Sequence, residues 1–198
     1  MNPVQRSRRR KQCFTRLADL YSRMDAAYHA AAARVQFTCA DCAHNCCVSH
    51  FQHHTMVEWA YFFEGFKTHS PEAQARFLSL AQANVTEVQR ALALGETPQA
   101  MCPMNQEGLC GSYTHRFMIC RLHGVAHVIT PPGRETHAFP GCPRYEALAM
   151  TGAGDPMDRT PFYQELAAVD RAFRETLPGP RPKVDLTLSE MLLLGPPR

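Results

Sequence analysis

Residues 37–47 read FTCADCAHNCC, and these eleven positions decide what the rest of the chain has to build around. Four cysteines, Cys39, Cys42, Cys46 and Cys47, fall within nine residues, and a looser group follows at Cys102, Cys110, Cys120 and Cys142. A disulfide needs its two Cα atoms roughly 4.4–6.8 Å apart in a set orientation, so four sulfurs this close are too crowded for ordinary stapling. Adjacent Cys46 and Cys47 can pair with each other only in a strained ring. A metal tolerates the crowding, because thiolates about 2.3 Å from a zinc ion converge on one point, and iron–sulfur clusters are held by closely spaced cysteines. The expectation is a metal or iron–sulfur site.

Cys39 and Cys42 form a CxxC knuckle that can present two sulfurs to one ion. Cys42 and Cys46 are four apart, so a helical turn sets them on one face. Cys47 then lies about 100° further round, or on the opposite side of an extended strand. Cys46 and Cys47 are therefore hard to aim at a single ion, and either Cys47 serves a second centre or one of the pair is a supporting or reactive thiol. Eight cysteines suit two four-sulfur sites, or one site with thiols left over for redox chemistry. Because eight sulfurs exceed what one tetrahedral zinc needs, an iron–sulfur cluster or iron is favoured, with zinc as the alternative. Cys13 stands apart as a structural or free thiol. His50, His53 and His54 follow the first group and His115, His123, His127 and His137 surround the second. Each is read as a surface or hydrogen-bonded residue, although as a set they add metal-binding capacity.

The remaining composition fits a soluble chain of 198 residues with 45% hydrophobic content, long enough for one core. No run of eighteen apolar residues exists, so no spanning helix and no membrane association are expected. The start, MNPVQRSRRRKQCF, lacks a continuous apolar stretch and does not read as a secretory signal. A cytoplasmic, reducing setting follows as an expectation, and there thiols remain available to metals. Five of the six residues from Arg6 to Lys11 are basic. They read as a solvated, frayed arm over 1–13, and nucleic acid is not an expected partner.

The remainder, 14–198, reads as a single, mainly α domain with an irregular cysteine-rich metal-binding insert. Phe14, Leu17, Tyr21, Met24, Tyr28, Ala31 and Val35 recur in steps of three and four, which predicts a long first helix leading to Phe37. Thr55 to Glu58 reads as a capping box before a helix carrying Trp59, Phe62, Phe63 and Phe66. Ser70-Pro71 starts another helix with an apolar face of Ala73, Phe77, Leu80, Val88 and Leu92, stopped at Gly95. Residues 97–143 lose that periodicity and predict loops, a short hairpin and one helical turn held by bound metal. Thr160-Pro161 opens a helix with Phe162, Leu166, Val169, Phe173 and Leu177 on one face. Leu186, Leu188, Met191, Leu192 and Leu193 suggest a short docking helix.

Three stretches together carry a family likeness: FTCADCAHNCC, then CPMNQEGLCGSYTHRFMICRLHG, then Gly141-Cys142-Pro143. They resemble the YkgJ family of cysteine-cluster proteins, with its zinc- or iron-chelating CxxCxxCC domain. The likeness covers about 37–143. It rests on Phe37 before Cys39, the Cys46-Cys47 pair, Cys102-Pro103, Leu109-Cys110-Gly111-Ser112-Tyr113 and Arg116-x3-Cys120-Arg121. There are two departures. Phe117 stands where the family has proline, loosening the turn before Cys120, and Gly108 replaces the usual polar linker two residues before Cys110. The resemblance implies metal or iron–sulfur binding by all eight clustered cysteines. It makes Arg116 and Arg121 candidates to bond cluster sulfurs or an anion, with surface or fold-stabilising arginines as the alternative.

No catalytic residue is assigned. A related group, the flagellin lysine methylases, makes a cluster-dependent methyltransferase the enzymatic alternative. The chain has no glycine-rich nucleotide loop, however, and Gly152-Ala-Gly154-Asp155 reads as a plain loop. A non-catalytic alternative is a zinc-stabilised interaction module or a metal-delivery protein with a protein partner.

Overall fold

Asn2 and Gln5 decide where the first helix begins. The Asn2 side chain accepts from the Gln5 backbone N–H at 2.8 Å, the Gln5 side chain accepts from the Asn2 N–H at 3.2 Å, and proline follows the cap. This reciprocal box satisfies two of the donors that every helix start leaves open. Helix α1 therefore runs Pro3–Arg34 and begins well before Phe14, so the basic run is helical and not frayed. The computed structural model describes residues 2–39, 46–150, 155–179 and 182–197. Seven α-helices dominate them and make the chain mainly helical. None of those helices is long and apolar enough to cross a membrane.

The chain packs as two compact units, each assembled from two separate stretches, 1–42 with 118–172 and 43–117 with 173–198. In the first unit the buried face of α1 is Cys13, Leu17, Leu20, Tyr21, Met24, Ala31 and Ala32. The stripe is turned slightly from the expected one, leaving Phe14, Tyr28 and Val35 half-buried. Each fully covered Leu or Met is worth about 1.5–3 kcal/mol, so this face anchors the unit. After α1, Gln36 takes a left-handed φ of 52° and turns the chain back. Phe37 then packs with Ala31, Ala32, Val125 and Tyr145, its ring edge-on to Tyr145 at 5.4 Å.

Helix α4 (Met118–Leu122) is held to α1 by Arg121, which is buried, pairs with Asp25 at 2.7 Å and lies 3.9 Å over the Tyr21 ring. A three-stranded sheet follows in the order β4-β3-β5, with β3 (His127–Ile129) antiparallel to β4 (His137–Phe139) and parallel to β5 (Met157–Asp158). Between β4 and β5 lies α5 (Pro143–Ala149). Gly141 just before it has φ 97°, and a Cβ there would meet the Gly124 carbonyl at 2.5 Å, so only glycine fits. Helix α6 (Thr160–Arg174) starts at the expected Thr160-Pro161 and buries Leu166 and Val169. The Gly152–Gly154 loop lies outside the described residues.

In the second unit, α2 (Met56–Phe66) starts after Thr55 as expected, but without the capping box. The Thr55 hydroxyl donates to the Glu58 carboxylate at 2.7 Å instead of accepting from its backbone. Trp59, Phe62 and Phe66 are buried. Phe62 stacks on Phe117 at 5.7 Å, and His53 stacks on the same ring at 3.9 Å. Helix α3 (Pro71–Ala93) is capped by Ser70, whose hydroxyl accepts from Ala73. Its buried residues are Phe77, Ala81 and Ala91, whereas Leu80 and Leu92 are exposed, so the apolar face is rotated from the expected one. Small alanines line that face because α7 (Leu188–Leu194) packs on α3. Helix α7 has its own capping box, Thr187 with Glu190, and buries Met191 and Leu192, matching the expected docking helix.

Candidate metal centre

Residues 97–117 reach the site by way of Asn84 on α3. Its amide donates to the Met101 carbonyl at 2.8 Å and the Ala100 carbonyl at 3.2 Å, and its oxygen accepts from Ser189 at 2.7 Å. The chain is therefore pinned immediately before Cys102. A hairpin follows, β1 (Asn105–Gln106) paired with β2 (Leu109–Cys110), with Asn105 opposite Cys110. Its two-residue turn is Glu107-Gly108, at φ 52° and 87°. Two positive φ values match the turn type whose twist suits a two-residue hairpin. Gly108 thus has a turn role, and its N–H is held by the Asn105 side chain at 3.1 Å.

Backbone bonds bring the two cysteine groups together inside this unit. The Cys102 N–H donates to the Cys47 carbonyl at 2.9 Å, and the Asn105 N–H donates to the Cys102 carbonyl at 3.0 Å. Cys46–Val48 is a 3-10 turn, neither the α-turn nor the strand considered from spacing. In it the Cys46 side chain interacts with the neighbouring Cys47 thiol. That interaction, with help from Asn105, pulls the Cys47 thiol down to about 6. Burial pushes the Cys102 thiol up to about 12, and the neighbouring Cys47 and Cys110 thiols add to the rise. Cys46, Cys47, Cys102 and Cys110 therefore share one electrostatic neighbourhood.

Asn105 was not legible as a site residue. Its Nδ2 is buried with no partner at hydrogen-bond distance, although it still favours the Cys47 thiolate nearby. A buried amide donor left open costs about 1–3 kcal/mol, and a sulfur acceptor would relieve it. The Asn105 amide beside the Cys47 thiol is a donor that a thiolate ligand at that position would use. The Asn-x-Glu-Gly sequence signals the turn, but nothing in it signals this second role.

The other clustered cysteines belong to the first unit. Cys39 is exposed, with its sulfur 3.7 Å from the Tyr28 hydroxyl. Cys120 is exposed on α4. Cys142 occupies the cap position of α5, donates its N–H to the Gly124 carbonyl at 2.8 Å and packs beside Phe37 and Tyr145. Cys42 lies outside the described residues. Cys13 is buried on α1. Arg116 in the second unit bonds the Tyr113 carbonyl at 2.8 Å and stacks 3.7 Å over its ring, while Arg121 makes the Asp25 and Tyr21 contacts described above.

The histidines are dispersed. His53 is buried and held neutral, its pKa pushed down to about 3 by desolvation, and His54 lies 3.3 Å from Asp185. His115 packs on Tyr61. His127 stacks on Phe139 at 4.6 Å and is pushed down to about 4, first by burial and then by Arg159, while His123 is lowered for the same two reasons. Among the described residues no three His, Cys, Asp or Glu side chains are already drawn onto one point, and no disulfide joins the eight described cysteines. No family model, curated protein or solved structure matches the chain.

Proposed function

We propose that this protein binds iron, as an iron–sulfur cluster or a thiolate-held ion, with Cys46, Cys47, Cys102 and Cys110 as one ligand set. The single observation behind the reading is convergence: two cysteine groups more than fifty residues apart meet in one unit through the Cys102–Cys47 backbone bond. The orphan Asn105 donor beside them supports it, as does the resemblance to the cysteine-cluster family. Cys39, Cys120 and Cys142 fall in the first unit, and with Cys42 they make the second set of four ligands. The irregular hairpin segment is then the cysteine-rich insert whose ordering depends on metal, because ligation free energy at such a site is also folding free energy.

The metal supplies charge that holds converging thiolates together. The chain supplies the thiols, a pinned entry at Asn84 and a donor at Asn105. Zinc is the second metal on the same ligands. Anaerobic purification with metal analysis and visible absorbance tests the reading. Sulfur-to-iron charge-transfer bands with iron present are expected. A colourless protein with stoichiometric zinc selects zinc, and a metal-free protein with an intact hairpin overturns the proposal.

A further inference from the structure

The first three turns of α1 carry Arg6, Arg8, Arg9, Arg10 and Lys11, with Arg16 one turn beyond, and the first turn has no acidic residue. The first carboxylate along the chain is Asp19, which is paired with Arg23 at 3.1 Å. This placement works against the helix. Cations at a helix N-terminus oppose the macrodipole, and like charges three or four apart, as in Arg6/Arg9, Arg6/Arg10 and Arg8/Lys11, repel. The helix nevertheless forms, because the Asn2 cap and the buried Cys13, Leu17 and Leu20 hold it. The basic run is thus held helical by the cap and by the opposite, buried face of α1.

We propose that this end of α1 is a docking surface for duplex DNA, bound through its phosphates. Arg8, Arg9, Lys11 and Arg16 are exposed. At 3.6 residues per turn, the cations from Lys11 through Arg8 and Arg16 to Arg9 span about 160° of the helix surface. A flat anionic surface would meet only part of that arc, whereas a groove walled by phosphates on both sides meets all of it. A helix about 10–12 Å across enters the roughly 12 Å major groove of B-form DNA, while the major groove of A-form RNA is too narrow and deep. The bias to arginine suits phosphate, which a guanidinium grips with two parallel bonds. Gln12 adds an uncharged donor within the arc, and Ser7 lies about 40° beyond Lys11.

The test is fluorescence anisotropy of a short mixed-sequence DNA duplex with the 198-residue chain at matched metal content. Four phosphate contacts predict an affinity that falls about a hundredfold between about 50 and 200 mM salt. The double variant R8Q/K11Q should fall only about tenfold over the same range, because two contacts remain. Its melting temperature should be unchanged or higher, since two charges opposing the dipole are gone, so weaker binding is not misfolding. Absence of salt-dependent DNA binding, or an unchanged salt slope in R8Q/K11Q, overturns the proposal. So does tighter binding to duplex RNA, to polyglutamate, or to phosphatidylcholine vesicles containing phosphatidylserine.

Discussion

The two units treat their described clustered cysteines differently, three in the first and four in the second. In the second unit Cys102 and Cys110 flank one hairpin, Cys46 and Cys47 sit on one 3-10 turn, and a backbone bond ties turn to hairpin. In the first unit Cys39 and Cys120 are exposed on separate elements and Cys142 caps a helix. The second unit brings Cys46 and Cys47 of the first sequence group and Cys102 and Cys110 of the second into one electrostatic neighbourhood. The difference lies in what surrounds the sulfurs. A two-residue turn, an Asn84 anchor and a glycine at 111 packed against Phe77 and Met104 shape the second set. In the first set, Cys142 packs against the core of Phe37 and Tyr145.

The sharpest way to break this contrast is Cys110→Ser. It should abolish the metal binding proposed for the second unit and open residues 97–117 to protease, because ligation at comparable sulfur sites is worth about 10–16 kcal/mol. Retention of full metal with an intact hairpin in metal analysis and limited proteolysis would refute the shared set. Next in size is Phe117→Ala, which removes the ring stacked on His53 and Phe62. A loss of about 3–5 kcal/mol in urea unfolding is expected, as for other buried aromatics, with metal stoichiometry kept. If metal fell in proportion to stability, core and site would not be separable.

A smaller effect is expected from His53. Its folded pKa is depressed to about 3, so the neutral form is the folded one. The stability it contributes is complete above the unfolded value near 6.5 and is lost as pH falls from there toward about 3. The slope is at most one proton, about 1.36 kcal/mol per pH unit. Urea midpoints across that range should slope less in His53→Phe. The smallest effect is Cys13→Ser, which buries a hydroxyl on α1 and should cost about 1–3 kcal/mol without changing metal content. A drop in metal would bring Cys13 into the ligand sets.

What could be read from sequence depended on whether a signal was local. Thr160-Pro161, Ser70-Pro71 and the C-terminal leucine cluster announce helices through caps and periodicity, and each is present. The start of α1 was hidden because a basic run resembles a loose arm, while Asn2 and Gln5 close the cap across it. Spacing puts Leu80 and Leu92 on the buried face of α3, but α3 packs with α7 and buries Phe77, Ala81 and Ala91 instead, which only tertiary packing decides. The cysteines stood out by spacing alone. Which of them share a neighbourhood did not, because the Cys47–Cys102 bond spans a distance in sequence that no periodicity records.

Because each unit is completed by a late stretch of chain, synthesis itself becomes a period of exposure. Helix α1 ends at Arg34, but the α4 that covers it begins only at Met118. At about 5–20 residues per second the wait on the ribosome is on the order of ten seconds. Throughout it Leu17, Leu20 and Met24 lack their native cover.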